Sequence, residues 1–179
     1  MDKTLVSVDF AKDRGLRQSS RQELTGWRPF GRTVVAAVCY RRQADGNVEF
    51  LLVRTRSGRW TFPKGAVDGD PTNAIAAARE AHEEAGVRGE VEPLAFTYYL
   101  HSKNRTDAHI VSAYLCRVVH LETPREQFRS PRWFSADRAK RRLREERPDF
   151  YAGELERVVD HAVHCVEAGT PHAGGVRLN

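Results

Sequence analysis

The chain has 179 residues, enough for one domain with a substantial core. Its composition, 40% hydrophobic and 30% charged, is that of a soluble globular protein, and no apolar run approaches the roughly 18–20 residues needed to cross a bilayer. A formal net charge of +5 and a pI near 9.4 bias the chain toward anionic partners: polyphosphates, nucleotides or nucleic acid. The first residues, MDKTLVSVDFAKDRG, carry charges where a signal peptide needs an uninterrupted apolar core. Cys39, Cys116 and Cys165 are odd in number and lie in apolar surroundings, which predicts reduced thiols and a cytoplasmic location instead of a disulfide framework.

Residues 1–30 have many charges and weak periodicity. They read either as a flexible arm or as an extra strand (Thr4–Phe10) and cover for the domain, with Trp27, Pro29 and Phe30 packing where arm and domain meet. Arg32–Tyr40 is β-rich and almost continuously apolar, which predicts a strand buried on both faces. Asp45-Gly46 marks a turn, and Val48–Arg54 returns as a second strand. The short polar loop Thr55–Arg59 then leads into Trp60–Lys64. An alanine-rich helix follows, with Asp70 expected to cap its start and Pro71 in the first helical position, where the missing N–H costs nothing. Asp68 or Asp70 also lies within reach of Arg79. Gly86 ends the helix as a left-handed C-cap. Glu90–Leu100 and His109–Val119 are further β-rich runs, joined by the basic loop HSKNRTDA. Pro131–Phe134 adds a short strand, Ser135 caps a helix to about Glu146, and Pro148 separates it from a last amphipathic helix over 149–168. The tail 169–179, with its glycines and Pro171, is expected to be loosely ordered. The domain proper is therefore placed at 31–168, and the order of elements predicts a mixed α/β (α+β) sandwich.

The chemistry concentrates on the helix carrying Glu80, Glu83 and Glu84. Residues three and four apart share a helix face, so these carboxylates repel one another by a few tenths of a kcal/mol per pair on a bare helix. A divalent cation removes that penalty, and clustered hard oxygen ligands suit magnesium or manganese. Ala74, Ala77, Ala78, Ala81 and Ala85 form the opposite flank, small enough to pack closely on a sheet. Taken alone, three glutamates read more readily as a solvated acidic face.

The surrounding spacing reverses that balance. From Gly65 to Val87 the chain reads GAVDGDPTNAIAAAREAHEEAGV, which resembles the Nudix hydrolase signature G-x5-E-x7-R-E-U-x-E-E-x-G-U, where U is a bulky aliphatic residue. Gly65, Arg79, Glu80, Glu83, Glu84, Gly86 and Val87 stand at the required offsets. Ala81 departs mildly at the first U. Pro71 departs more seriously, standing where the family carries a glutamate that braces the motif's arginine and loop. The resemblance implies a mixed β-sheet sandwiched between α-helices. It also implies metal-assisted attack of water on a phosphoanhydride, with Mg2+ (or Mn2+) as cofactor. Glu80 and Glu84 would contact the metal most directly, Glu83 would share it or activate water, and Arg79 counts with them among the catalytic residues. The Lys64 backbone carbonyl is a further ligand by resemblance, and Glu126 a weak candidate to complete the site. Within the family, RTVVAAVCYR, the RW-x-x-P-x-G approach, EEAGV-x-G and RWFSADRAKRRL look most like the diphosphoinositol polyphosphate and diadenosine polyphosphate hydrolases.

A polyphosphorylated substrate needs cations, and Arg32, Arg54, Arg56, Arg59, Lys64, Lys103 and Arg105 flank the approach to the motif. Each also reads as ordinary solvated charge in an arginine-rich chain. The dense cluster Arg125–Arg147 suggests RNA binding or a highly phosphorylated ligand, but a helix face partly neutralised by Glu145 and Glu146 is favoured. His161, His164 and Cys165 share a face without a second ligand set and are read as structural, and His82 points away from the glutamates. Trp60, Tyr98, Tyr99 and Trp133 can stack on a base, yet strand aromatics are more often core. The expected partner is a small polyphosphorylated molecule (a diphosphoinositol polyphosphate, or a diadenosine or nucleoside polyphosphate), with nucleic acid less favoured, no membrane, and a monomer or homodimer. A Nudix-fold binding module without turnover and an RNA-end pyrophosphohydrolase are the competing readings.

Overall fold

The computed structural model describes residues 33–102, 108–169 and 176–177. In chain order the elements are β1 (Val34–Arg42), β2 (Val48–Arg54), β3 (Trp60–Thr61), β4 (Lys64–Ala66), α1 (Asn73–Ala85), β5 (Val87–Val91), β6 (Thr97–Ser102) and β7 (Ala108–Leu121). A single 3-10 turn (Gln127–Arg129), β8 (Arg132–Ser135), α2 (Ala136–Arg144), α3 (Asp149–Glu167) and β9 (Val176–Arg177) follow. Residues 1–32, including Arg32, and the loop carrying Lys103 and Arg105 lie outside the described residues.

The strands form one mixed sheet in the order β3-β2-β1-β7-β5-β9, with β4 pairing β1, β6 pairing β7 and β8 pairing β2. β1 runs parallel to β7, from Val34 opposite Val111 to Tyr40 opposite Arg117, and antiparallel to β2 and β4. Its alternate residues feed two cores, as its unbroken apolar run predicts. Ala36, Val38 and Tyr40 join Phe50, Leu52, Phe62 and Tyr99 beneath α2 and α3, which contribute Ala139, Leu143, Leu155, Val158 and Val159. Val35, Ala37 and Cys39 face the other way, onto the alanines of α1. The sheet is thus held between α1 on one face and α2 with α3 on the other. No described helix is long and apolar enough to cross a membrane.

Three expectations need correcting. The run Glu90–Leu100 is not one strand. β5 starts directly after the Gly86 cap, and the chain leaves the ladder near Pro93, which has no N–H to donate, before β6 begins at Thr97. Within the tail expected to be loose, residues 176–177 form β9, which pairs Arg177 with Glu90 and Val176 with Val91 along an otherwise open edge of β5, while 170–175 and 178–179 lie outside the described residues. Ser135 ends β8 and occupies the expected N-cap position of α2, but its side chain makes no cap hydrogen bond to the helix.

Candidate active site

α1 has the two faces its sequence predicts. Ala74, Ala77, Ala78, Ala81 and Ala85 are buried on the sheet. Glu80 and Glu84 are buried too, at 9% and 3% exposure, whereas Glu83 is half-buried. β4 lies across the two buried carboxylates. A methyl group at Gly65 would sit 2.2 Å from the Glu80 carboxyl carbon, so the glycine of the motif keeps open the cradle in which Glu80 rests. Ala37 N–H donates to Pro63 O at 2.9 Å and Val67 N–H to Thr33 O at 2.9 Å, which fixes the ladder between β1 and the β4 segment. Lys64 belongs to the alternate set, and its N–H donates to Glu84 Oε2 at 3.2 Å. By strand geometry the Lys64 carbonyl turns to the same side, where the resemblance expected a ligand. Burial pushes Glu84 up to about 7, opposed by the charges of Arg129 and Lys64. Burial also raises Glu80, opposed by Arg79.

Arg79 ties the site together. Its Nε and Nη2 donate to Asp70 at 3.2 and 3.1 Å, Nη1 donates to Glu80 at 2.7 Å and to Glu83 at 3.3 Å, and Nη2 reaches Ala66 O at 3.1 Å. Asp70 is therefore not the N-cap. Thr72 caps α1, its hydroxyl accepting from Ile75 N–H at 3.2 Å, and Pro71 precedes the cap instead of opening the helix. A carboxylate taking two charge-assisted bonds from a guanidinium gains more than one taking a single cap bond, and Thr72 was available for the lesser task. The Arg79 bonds hold Asp70 below the usual carboxylate range. One residue before Pro71, Asp70 thus supplies the brace that the family draws from a glutamate.

Arg129 is the site residue the sequence did not reveal. The 3-10 turn delivers its guanidinium onto Glu84, while its Nε donates to Glu126 Oε2 at 2.6 Å. Glu126 N–H donates to Glu83 O at 3.1 Å, so the turn hangs from the end of α1. Arg125 reaches Glu83 Oε1 at 3.2 Å. Glu126 thus stands beside the site, its carboxylate engaged with Arg129. Within the arginine cluster, Arg125 and Arg129 join the glutamates, Arg147 bonds the Leu143 and Trp60 carbonyls, and Lys140 pairs with Asp160, Arg142 with Glu145, and Arg144 with Glu156 and Asp149. Only the 3-residue spacing of Glu126 and Arg129 hinted at the first group.

Of the expected phosphate contacts, Arg56 meets this turn through its side chain and Arg54 through its backbone, the Arg54 guanidinium donating to Gly58 O at 2.8 Å. The Arg54 carbonyl accepts from Arg129 at 3.4 Å, and its guanidinium lies 4.5 Å over Trp60. Arg56 lies 4.5 Å over Phe128, which also meets Arg129 at 5.0 Å. Arg59 is half-buried in its own loop, bonded to Ser57 at 3.4 Å. Trp60 and Tyr99 are core residues, Trp133 is half-buried beneath Arg41, and Tyr98 is exposed. His82 bonds Glu122 at 3.0 Å, and the His161 ring packs on Phe96.

Among the described residues no three His, Cys, Asp or Glu side chains converge as a preset metal cage, because Arg79 draws Glu80 and Glu83 while Arg129 holds Glu84. The donor set nevertheless fits a hard divalent cation. Two buried carboxylates share one helix face beside the Lys64 peptide, over a cradle that a Cβ would fill.

The NUDIX domain profile matches residues 31–153. "Nudix hydrolase 4" of Arabidopsis thaliana is 35% identical over 119 residues, covering 61% of this chain and 58% of that protein. "Diphosphoinositol polyphosphate phosphohydrolase 2" of Rattus norvegicus is 28% identical over 127 residues, covering 69% of this chain and 68% of the relative. The chain thus spans under two thirds of the length of the plant relatives it matches. A C. elegans Ap4A hydrolase in a binary complex superposes with a TM-score of 0.60 at 20% identity, over 77% of this chain and 99% of that one, a likeness of fold.

Proposed function

The protein belongs to the Nudix family, and from that premise we propose that residues 31–168 form a hydrolase dependent on Mg2+ or Mn2+. Its substrate is a phosphoanhydride in a small polyphosphorylated molecule, either a diphosphoinositol polyphosphate or a dinucleotide polyphosphate. The observation that carries this reading is the burial of Glu80 and Glu84 side by side, next to the Lys64 peptide and under an arginine fringe. The names of the rat and C. elegans relatives support the substrate class.

A bound divalent cation supplies neutralisation of phosphate oxygens and a more acidic water. Glu80 and Glu84 would hold it through their carboxylate oxygens, with the Lys64 carbonyl beside them. Glu83, more open to solvent, would share the cation or take the proton of the attacking water. Arg79, fixed by Asp70, keeps Glu80 and Glu83 in position. In this reading Arg54, Arg56, Arg59 and the Lys64 side chain bind phosphate oxygens, and so do Arg32, Lys103 and Arg105, which lie outside the described residues. Water forms a new O–P bond in line with the anhydride bond that breaks, and the leaving phosphate takes the electron pair. Retention of all three box glutamates, with Asp70 in the bracing role, favours turnover over a non-hydrolytic module. The ion pairs along α2 and α3 weaken the case for RNA ends.

Product analysis on a panel with Mg2+ tests the proposal: a diphosphoinositol polyphosphate, diadenosine polyphosphates, ADP-ribose and nucleoside triphosphates. Cleavage of one of the first two at an anhydride bond, ahead of the others, is expected. Preference for ADP-ribose or a triphosphate would overturn the substrate class, and cleavage of none would overturn the hydrolase.

A further inference from the structure

We infer that Arg129 is a resident counter-cation of the metal site, displaced from Glu84 when a divalent cation binds and kept nearby by Glu126. The inference rests on the reading of Glu80 and Glu84 as the carboxylates that hold the metal.

An ionised carboxylate at 4% side-chain exposure needs a positive partner, and Arg129 provides it directly. A divalent cation on Glu84 competes with the guanidinium for Oε1 and repels it. Arg129 is built for exchange. Its second edge rests on Glu126, whose side chain is 40% exposed, so release of Glu84 leaves the guanidinium paired at the solvent side. It stacks on Phe128, itself 40% exposed. The 3-10 turn that carries it closes on Ser130 at φ +45°, a left-handed conformation uncommon for serine. The turn is attached to α1 by the backbone bond from Glu126 to Glu83 O and by the side chains of Arg125 and Arg129, and to β2 by the Arg54 carbonyl. Arg79 is anchored differently: its Nη1 also pairs with Glu80 and Glu83, but Asp70 and Ala66 O fix its Nε and Nη2. The consequence is a site that folds neutralised without metal and binds metal more weakly than its carboxylates alone would allow.

The test is Mn2+ binding to the full chain by calorimetry at pH 8 after chelator treatment, for wild type, Arg129→Gln, Arg129→Lys and Glu84→Gln. Arg129→Gln is expected to bind Mn2+ roughly 5–10-fold more tightly, with a larger metal-induced rise in Tm, because the metal-free form loses a partner that the metal-bound form does not use. Arg129→Lys, still cationic, stays close to wild type. An unchanged or weaker Kd in Arg129→Gln, with metal-free and metal-bound forms destabilised alike, is the signature of a purely structural arginine and overturns the proposal. Guanidinium NMR of wild type gives a variant-free check: the Arg129 signal shifts on saturation with Mg2+, and an unmoved signal overturns the inference. Glu84→Gln binding Mn2+ as well as wild type would remove the metal-site reading itself, and the inference with it.

Discussion

Asp70→Ala removes both bonds that Asp70 takes from Arg79. The Asp70 side chain is 9% exposed and that of Arg79 32%. Hydrogen bonds to charged groups contribute about 1.5–3 kcal/mol each. Arg79 is partly solvated and keeps Glu80, Glu83 and Ala66 O, so the net loss falls to about 2 kcal/mol for the pair. In a domain of this size that lowers Tm by roughly 4–8 °C. Turnover suffers as well, because Arg79 relaxes toward solvent and takes Glu80 and Glu83 with it; a shift on the order of 1 Å at a reacting centre costs up to about a hundredfold in rate. Adding Pro71→Glu to Asp70→Ala restores the family's bracing carboxylate one residue along, and should recover most of both losses. The assays are thermal unfolding with and without Mg2+, and steady-state turnover. If Asp70→Ala left Tm within about 1 °C and turnover intact, the brace would be idle and the account of Pro71 wrong.

Gly65→Ala drives a methyl group into the Glu80 carboxylate at 2.2 Å, so turnover should fall at least about a hundredfold; a fully active variant would show that Glu80 need not occupy its cradle. Gly86→Ala meets Glu122 O at 2.0 Å from a backbone at φ +65°, and unfolding should show a loss above about 2 kcal/mol, with little change contradicting the tight approach. Glu84 binds protons more tightly when folded, its value moving from 4.5 up to about 7. The folded state then holds the extra proton between those values, so the contribution of Glu84 to stability is greatest below 4.5 and declines as pH rises to 7, by about 3 kcal/mol in the metal-free protein. Denaturant titrations of wild type and Glu84→Gln across that window isolate the slope, and a Glu84-dependent rise in stability with pH would contradict it.

The sequence made the centre of the fold legible because two patterns there are rigid. β1 is continuously apolar since both its faces are covered, and α1 separates alanines from glutamates because one face packs on the sheet. The motif fixed where Gly65, Arg79 and the three glutamates lie relative to one another. Side-chain commitments were harder to see. Asp70 and Thr72 are both good caps, and only the position of Arg79 in three dimensions decides that Asp70 turns away from the helix. Arg129 lies within a dense basic stretch, 45 residues from Glu84 along the chain, and its composition matched that of arginines paired along α2 and α3. The pairing of Val176 and Arg177 with β5 depends on an open strand edge, which a glycine-rich tail does not announce.

The central claim is that Glu80 and Glu84 hold the cation that makes an anhydride bond labile. The most direct measurement is hydrolysis of the preferred panel substrate against Mg2+ concentration, for wild type beside Glu84→Gln at matched fold and temperature. The account predicts saturable, Mg2+-dependent release of the two phosphorylated products by wild type, and a loss of about a thousandfold or more in Glu84→Gln. Metal-independent cleavage, or a Glu84→Gln rate near that of wild type, would place the active site elsewhere on the molecule.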